Sequence, residues 1–158
     1  MTKSVRVASL VFAITAATIL SSAVLAAWAI DRGGPDALRL PFRLLCHGIE
    51  PRSFAVGSAA MPICARCSGI YLGMLGGIAG GLFLAGRGRI VPGVVAALLI
   101  VPLALDGTTQ ALGLRESGNL LRFVTGILTG AGGMAWVVTR LSANAAAALE
   151  RRESGLQC

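Results

Sequence analysis

The sequence predicts an all-α integral membrane protein: a four-helix bundle with a long Cys/His-containing loop between its first and second helices. Three observations predict it. Hydrophobic residues make up 55% of the 158-residue chain and charged residues only 13%, where a soluble domain carries about 25% charged. Four apolar segments each approach the ~20 residues that cross a bilayer as a helix. Between the first two lies a segment that holds three of the four cysteines and the single histidine.

The first segment is Val7–Ile30. Lys3 and Arg6 precede it, and "AWA" near its end resembles a secretory cleavage site. Its apolar run is ~22 residues, against the usual ~7–15 of a signal sequence, so it reads as a retained helix. The second segment is Ser68–Ala85. Gly69, Gly73, Gly77 and Gly81 recur there at every fourth residue, and Gly126 and Gly130 do the same in the fourth segment. Small residues at this spacing line one face and let helix backbones approach closely in lipid. The same faces would suit a homo-oligomer. The third segment, Ile90–Leu112, contains Pro92 and Pro102, and Pro102 is expected to kink the helix just before Asp106. The fourth is Leu120–Leu141. Residues 1–141 therefore read as one transmembrane domain, and 142–158 as a polar C-terminal tail.

The net charge is +7, with 14 basic and 7 acidic residues. Aromatic residues are only 5%, and no basic patch is interleaved with them, which argues against nucleic-acid binding. The positive charge instead suits topology and anionic head groups, with the lipid bilayer as the partner. Lys and Arg divide almost evenly between the two sides. The short "GRGR" loop and the "ERR" of the tail favour the cytoplasm, so a multi-pass protein of the cell membrane with both termini cytoplasmic is expected. Four crossings put the cysteine loop, Asp31–Cys67, on the same side as Asp106–Phe123. Cys158 falls on the opposite side.

Cys64 and Cys67 form a C-x-x-C where the second helix begins, with Arg66 inside it. A helix N-terminus and a neighbouring arginine both stabilise a thiolate. Cys46 and His47 are adjacent in the preceding loop. Cys46, His47, Cys64 and Cys67 are the right number and type of donors for a tetrahedral zinc site, although two adjacent ligands must both turn toward one ion. One of that pair would otherwise support the site from outside. A Cys64–Cys67 disulfide is the competing reading, and it leaves Cys46 without a partner. Asp106 ends an apolar run, where a carboxylate is costly. Gln110 shares its helix face, and Asn119, Arg122 and Thr129 lie near one face of the fourth helix. Asp106 and Arg122 are expected to pair, either as a structural lock or as catalytic groups, with Asp106 as a general base beside a metal-bound water. Asn119 caps the fourth helix in the bland reading.

"CHGIEPRSF", "MPICARCSGIYLG" and "LDGTTQALGLRESGNLLRFVTGILTG" together resemble the signature blocks of an uncharacterised family of small bacterial and archaeal membrane proteins, a domain of unknown function. The likeness covers about Cys46 to Gly130. It implies that Cys46, His47, Arg52, Ser53, Phe54, Cys64, Arg66, Cys67, Gly69, Tyr71, Asp106, Gln110, Asn119 and Arg122 stand at signature positions, and it implies no activity. Three functions follow from the residues: a zinc metalloprotein, structural or catalytic; a membrane thiol–disulfide oxidoreductase using the C-x-x-C; and a non-enzymatic metal sensor or assembly factor.

Overall fold

The computed structural model describes residues 2–155. Four helices dominate it: α1 (Lys3–Asp31), α2 (Ala65–Gly86), α3 (Gly93–Ala111) and α4 (Asn119–Gly155). All four are long and apolar enough to cross a membrane. α3 runs without interruption through Pro102. α4 extends well beyond Leu141 and takes in most of the segment read as a polar tail. At 37 residues it is ~55 Å long, against a hydrocarbon layer of ~30 Å.

The glycines explain how the bundle closes. A Cβ at Gly69, Gly73 or Gly77 of α2 would run into the backbone carbonyls of Phe123, Ile127 and Ala131 of α4. Reciprocally, a Cβ at Gly126 or Gly130 would strike the carbonyls of Arg66 and Ile70. The two glycine faces expected from the sequence are therefore one contact, made within the chain. Around its far end Ile78, Met134 and Val138 form a small apolar core. α3 by contrast buries little beyond Ala96 and Asp106, which suits a helix whose apolar surface faces lipid.

The segment 31–67 departs from the all-α expectation. It holds two 3₁₀ stretches, Asp36–Leu44 and Glu50–Arg52, and then an antiparallel hairpin of β1 (Ser53–Val56) and β2 (Ala59–Cys64). Val56 pairs with Ala59, leaving Gly57 and Ser58 as a two-residue turn. Gly57 takes φ +63°, the positive value that a II′ hairpin turn needs at its first central position. Asp31, the last residue of α1, accepts hydrogen bonds from the Ser58 amide and hydroxyl, both at 2.7 Å. The hairpin is thereby pinned to the end of α1. Beneath it Ala23, Ala26, Ala27, Phe42, Met61 and Ile63 form the second core.

Candidate metal centre

Three turns of backbone bring the cysteines together. The hairpin register shifts between Ser53 and Ala55, so Ser53 stands opposite Cys64. β2 carries the extra residues there, Pro62 among them, and a bulge of this kind re-aims the side chains beyond it. Cys64 ends β2 and is also the N-cap of α2. Its sulfur accepts from the Cys67 amide at 3.5 Å. One strand-width away, Gly48 takes φ +55°, and a Cβ there would lie 2.8 Å from the Pro62 carbonyl oxygen. Only glycine lets the Cys46–His47–Gly48 backbone pass that close to β2. As a result the Cys64 amide donates to Cys46 Sγ at 3.3 Å.

The outcome is a compact group. The sulfurs of Cys46, Cys64 and Cys67 all lie within 4.8 Å of one another, each partly buried. Among the described residues none of the three is in a disulfide. The Cys64 and Cys67 thiols, with the Gly48 and Cys64 amides, surround Cys46 Sγ and hold it well below the usual thiol range. The thiolate is the form in which cysteine binds a metal. His47, the expected fourth donor, is exposed and stands outside the group. Its adjacency to Cys46 is the reason: neighbouring residues in extended backbone project to different sides.

The cysteines open onto a cavity of about 430 Å³. Leu45, Ile49, His47, Arg52, Arg66, Gln110 and Arg122 complete its wall. The sequence-based inference that the cysteine loop meets the adjoining ends of α3 and α4 is thus met geometrically. The expected partnership of Asp106 with Arg122 is not. Asp106 Oδ2 instead binds Arg66 Nη2, from within the C-x-x-C. α3 packs against α4 rather than against α2, so the pair is made by the length of the Arg66 side chain reaching across from the start of α2. Asp106 is not on the cavity wall and meets the cavity only through Arg66.

Arg122 is 6% exposed and has no carboxylate partner among the described residues. Its Nη1 donates to Asn119 Oδ1 at 3.2 Å. Asn119 in turn donates to the Ser53 carbonyl at 3.1 Å, which ties the start of α4 to the hairpin. Gln110 lies between the two arginines. With its amide oxygen toward α4 it accepts from both Nε and Nη2 of Arg122 at 3.2 Å. That orientation satisfies two donors of a buried guanidinium, where the opposite one offers Arg66 a single contact of 3.4 Å. Thr129 lies elsewhere, donating to the Leu99 carbonyl at 3.4 Å. Cys158 lies outside the described residues.

Sequence reasoning gave no role to two members of this site, which the family likeness places only at signature positions. Arg52 reaches the cavity from the second 3₁₀ stretch, which no periodicity announces. Arg66 was read only as a neighbour of the thiols, and its partner lies 40 residues away. The hairpin was legible in retrospect: "GS" between "SFAV" and "AAMPIC" is a two-residue turn with glycine first.

Four apolar helices and a three-cysteine cluster at the mouth of one of them define a membrane-type protein with a thiol-rich site. The chain belongs to the DUF2085 family of predicted membrane proteins, whose family model matches residues 46–136. It is 42% identical over 91 residues to an uncharacterized protein of Methanocaldococcus jannaschii, a match that covers 56% of this chain and 58% of that one. It is 38% identical over 91 residues to an uncharacterized protein of Methanothermobacter thermautotrophicus, covering 58% of this chain and 82% of the relative. No solved structure matches it. The matched region includes all three clustered cysteines and the arginines of the cavity, while α1 lies before it.

Proposed function

We propose that this is a multi-pass protein of the cell membrane in which Cys46, Cys64 and Cys67 hold one zinc ion at the membrane boundary. The observation that carries this is the convergence of three sulfurs within 4.8 Å, a spacing that one ion can bridge at the ~2.3 Å of a zinc–sulfur bond. Sulfur donors select zinc over magnesium or calcium, which take oxygen. Three protein ligands would leave one coordination position for water or a substrate, and His47 lines the same cavity as the sulfurs. A zinc ion with an open position supplies Lewis acidity and lowers the pKa of a bound water, as catalytic sites require. Arg122 and Arg66 are the fixed donors that would orient a substrate there. Asp106 serves the site by holding Arg66 rather than as a base.

The runner-up is a thiol–disulfide oxidoreductase, favoured by the C-x-x-C at the N-terminus of α2. The third sulfur argues against it, since no fourth thiol stands beside Cys46 among the described residues. A non-enzymatic metal sensor or assembly factor shares the metal but not the substrate. The test is to purify the full chain without added metal and measure zinc and free thiols. About one zinc per chain is expected, lost in Cys64→Ser and Cys67→Ser and retained in Cys158→Ser. A metal-free protein whose Cys64–Cys67 disulfide cycles with a quinone would replace the metal reading with the redox one.

A further inference from the structure

We propose that the cavity takes the oxyanion head group of an anionic phospholipid-type amphiphile, with its chain laid in a groove along α1. The inference names a ligand for the proposed metal site and rests on that reading only for what the ligand meets at its inner end.

The head-group half comes from charge. Arg52, Arg66 and Arg122 line one cavity, and among the described residues the only carboxylate paired with any of them is Asp106, on Arg66. Arg122 is more than nine-tenths buried, and its partners are the neutral amides of Asn119 and Gln110. A buried cation without a counter-ion is costly, and guanidinium groups match the planar and tetrahedral oxyanions of carboxylates and phosphates. The N-terminus of the 22-residue α2 opens on the same space, adding the donor end of its dipole. An anion with about two delocalised oxygens would meet all of these at once.

The chain half comes from a second cavity. A groove of about 530 Å³ runs between α1 and the first 3₁₀ stretch, lined by Ile19, Leu25, Phe42 and other almost wholly apolar groups. Leu45 lines both this groove and the arginine cavity. From Ala29 the groove descends α1 to Ile19, ~15 Å toward the middle of the layer at 1.5 Å per residue. The polar cavity therefore sits at the membrane boundary and the apolar groove leads from it into the hydrocarbon. A free phosphate would use the first and leave the second without a purpose.

The test uses the full-length protein in nanodiscs of equal parts phosphatidylglycerol and phosphatidylcholine, followed by detergent extraction and native mass spectrometry. The wild type is expected to retain one phosphatidylglycerol in preference to phosphatidylcholine by about tenfold, the value of one charge-assisted contact. Arg52→Gln, an exposed change that leaves the bundle intact, should remove most of that preference, and Arg89→Gln at the opposite end of α2 should not. Leu45→Trp, which fills the shared wall, should lower lipid retention while leaving inorganic phosphate binding, measured by calorimetry, unchanged. Equal retention of both lipids overturns the proposal. So does phosphate binding that Arg52→Gln abolishes while neither lipid is retained, which would mark a small-anion site. Zinc content measured on the same samples separates the two readings. Zinc without lipid selectivity sinks only the lipid, and lipid selectivity without zinc sinks only the metal.

Discussion

Arg66 and Asp106 form an ion pair between the first turn of α2 and the last turns of α3, with the carboxylate side chain 4% exposed. The pair sets one wall of the cavity, because Arg66 lines it together with Cys64 and Cys67. Removing one partner of such a pair leaves an uncompensated charge, at a cost of ~3–5 kcal/mol. Asp106→Asn and Arg66→Gln should each lower the thermal midpoint in detergent. The double variant should be less destabilised than the sum of the two. A double-mutant cycle of Asp106 with Arg122 should give a smaller coupling than this one. The reverse ranking would contradict the assigned pairing.

How far this was readable from residues differs from element to element. The four helices follow from apolar length, and the α2–α4 contact follows from glycines four apart, because both depend on local chemistry repeated along the chain. The cysteine cluster was legible as a set of residue types. Its geometry was not, because it depends on a hairpin whose bulge and turn set the direction of Cys64. The choice of Arg66 over Arg122 for Asp106 turns on the order in which α2, α3 and α4 pack, which no single segment encodes. His47 shows the limit of a count of donors, since being next to Cys46 in sequence directs it away from the other ligands.

Gly73 and Gly76 make a controlled pair on one helix. A Cβ at Gly73 would enter the backbone of Ile127, whereas at Gly76 nothing lies within 4 Å. Gly73→Ala must push α4 away and is expected to destabilise by ~1–3 kcal/mol or more. Gly76→Ala should be neutral or slightly stabilising, as the helical preference of alanine is ~0.5–1 kcal/mol. Midpoints from a thermal aggregation assay of detergent-solubilised protein decide it. Equal effects at the two sites would remove the close α2–α4 approach as a source of stability.

The pinning of the hairpin to α1 should matter for the metal although it lies away from the sulfurs. Asp31 accepts two hydrogen bonds from Ser58, charge-assisted contacts that tie the turn to the end of α1. Asp31→Ala should loosen β1 and β2 and weaken zinc binding without abolishing it. The readout is competition with a chromophoric chelator, with a several-fold loss of affinity expected. Unchanged affinity would mean that α2 and the Gly48 crossing hold the cysteines by themselves.

Orientation follows from the positive charges at the far end of the bundle. Arg87 and Arg89 lie at the α2–α3 turn, where Arg87 stacks on Phe83 at 3.6 Å. Arg151 and Arg152 lie at the end of α4. With four crossings these groups would share a side, and by the positive-inside rule that side is expected to be the cytoplasm. Reporter fusions at Gly88 and Gly155 should both report a cytoplasmic location. Two external signals would invert the protein and put the cysteines inside, and opposite signals would exclude four crossings.

The metal itself gives the last prediction. Thiols bind zinc only after losing their protons, so binding releases protons and affinity rises with pH. Cys46 already lies below the ordinary thiol range, so it gives up its proton first as pH rises and is the last to be protonated in acid. Protons nevertheless compete with the metal for the thiolates, so zinc affinity should fall on acidification and the bound metal should leave below neutrality rather than above it. His47→Ala tests the fourth position. Because the imidazole stands outside the sulfur group, the variant should keep about one zinc per chain, bound less tightly if the ring swings in to ligate. Cys46→Ser removes a member of the group and should reduce the zinc content toward zero. Titrating both variants against a competing chelator across the acid range separates the cases. If His47→Ala loses its zinc as completely as Cys46→Ser does, the site is closed by four protein ligands and is structural, and the open position proposed for a substrate does not exist.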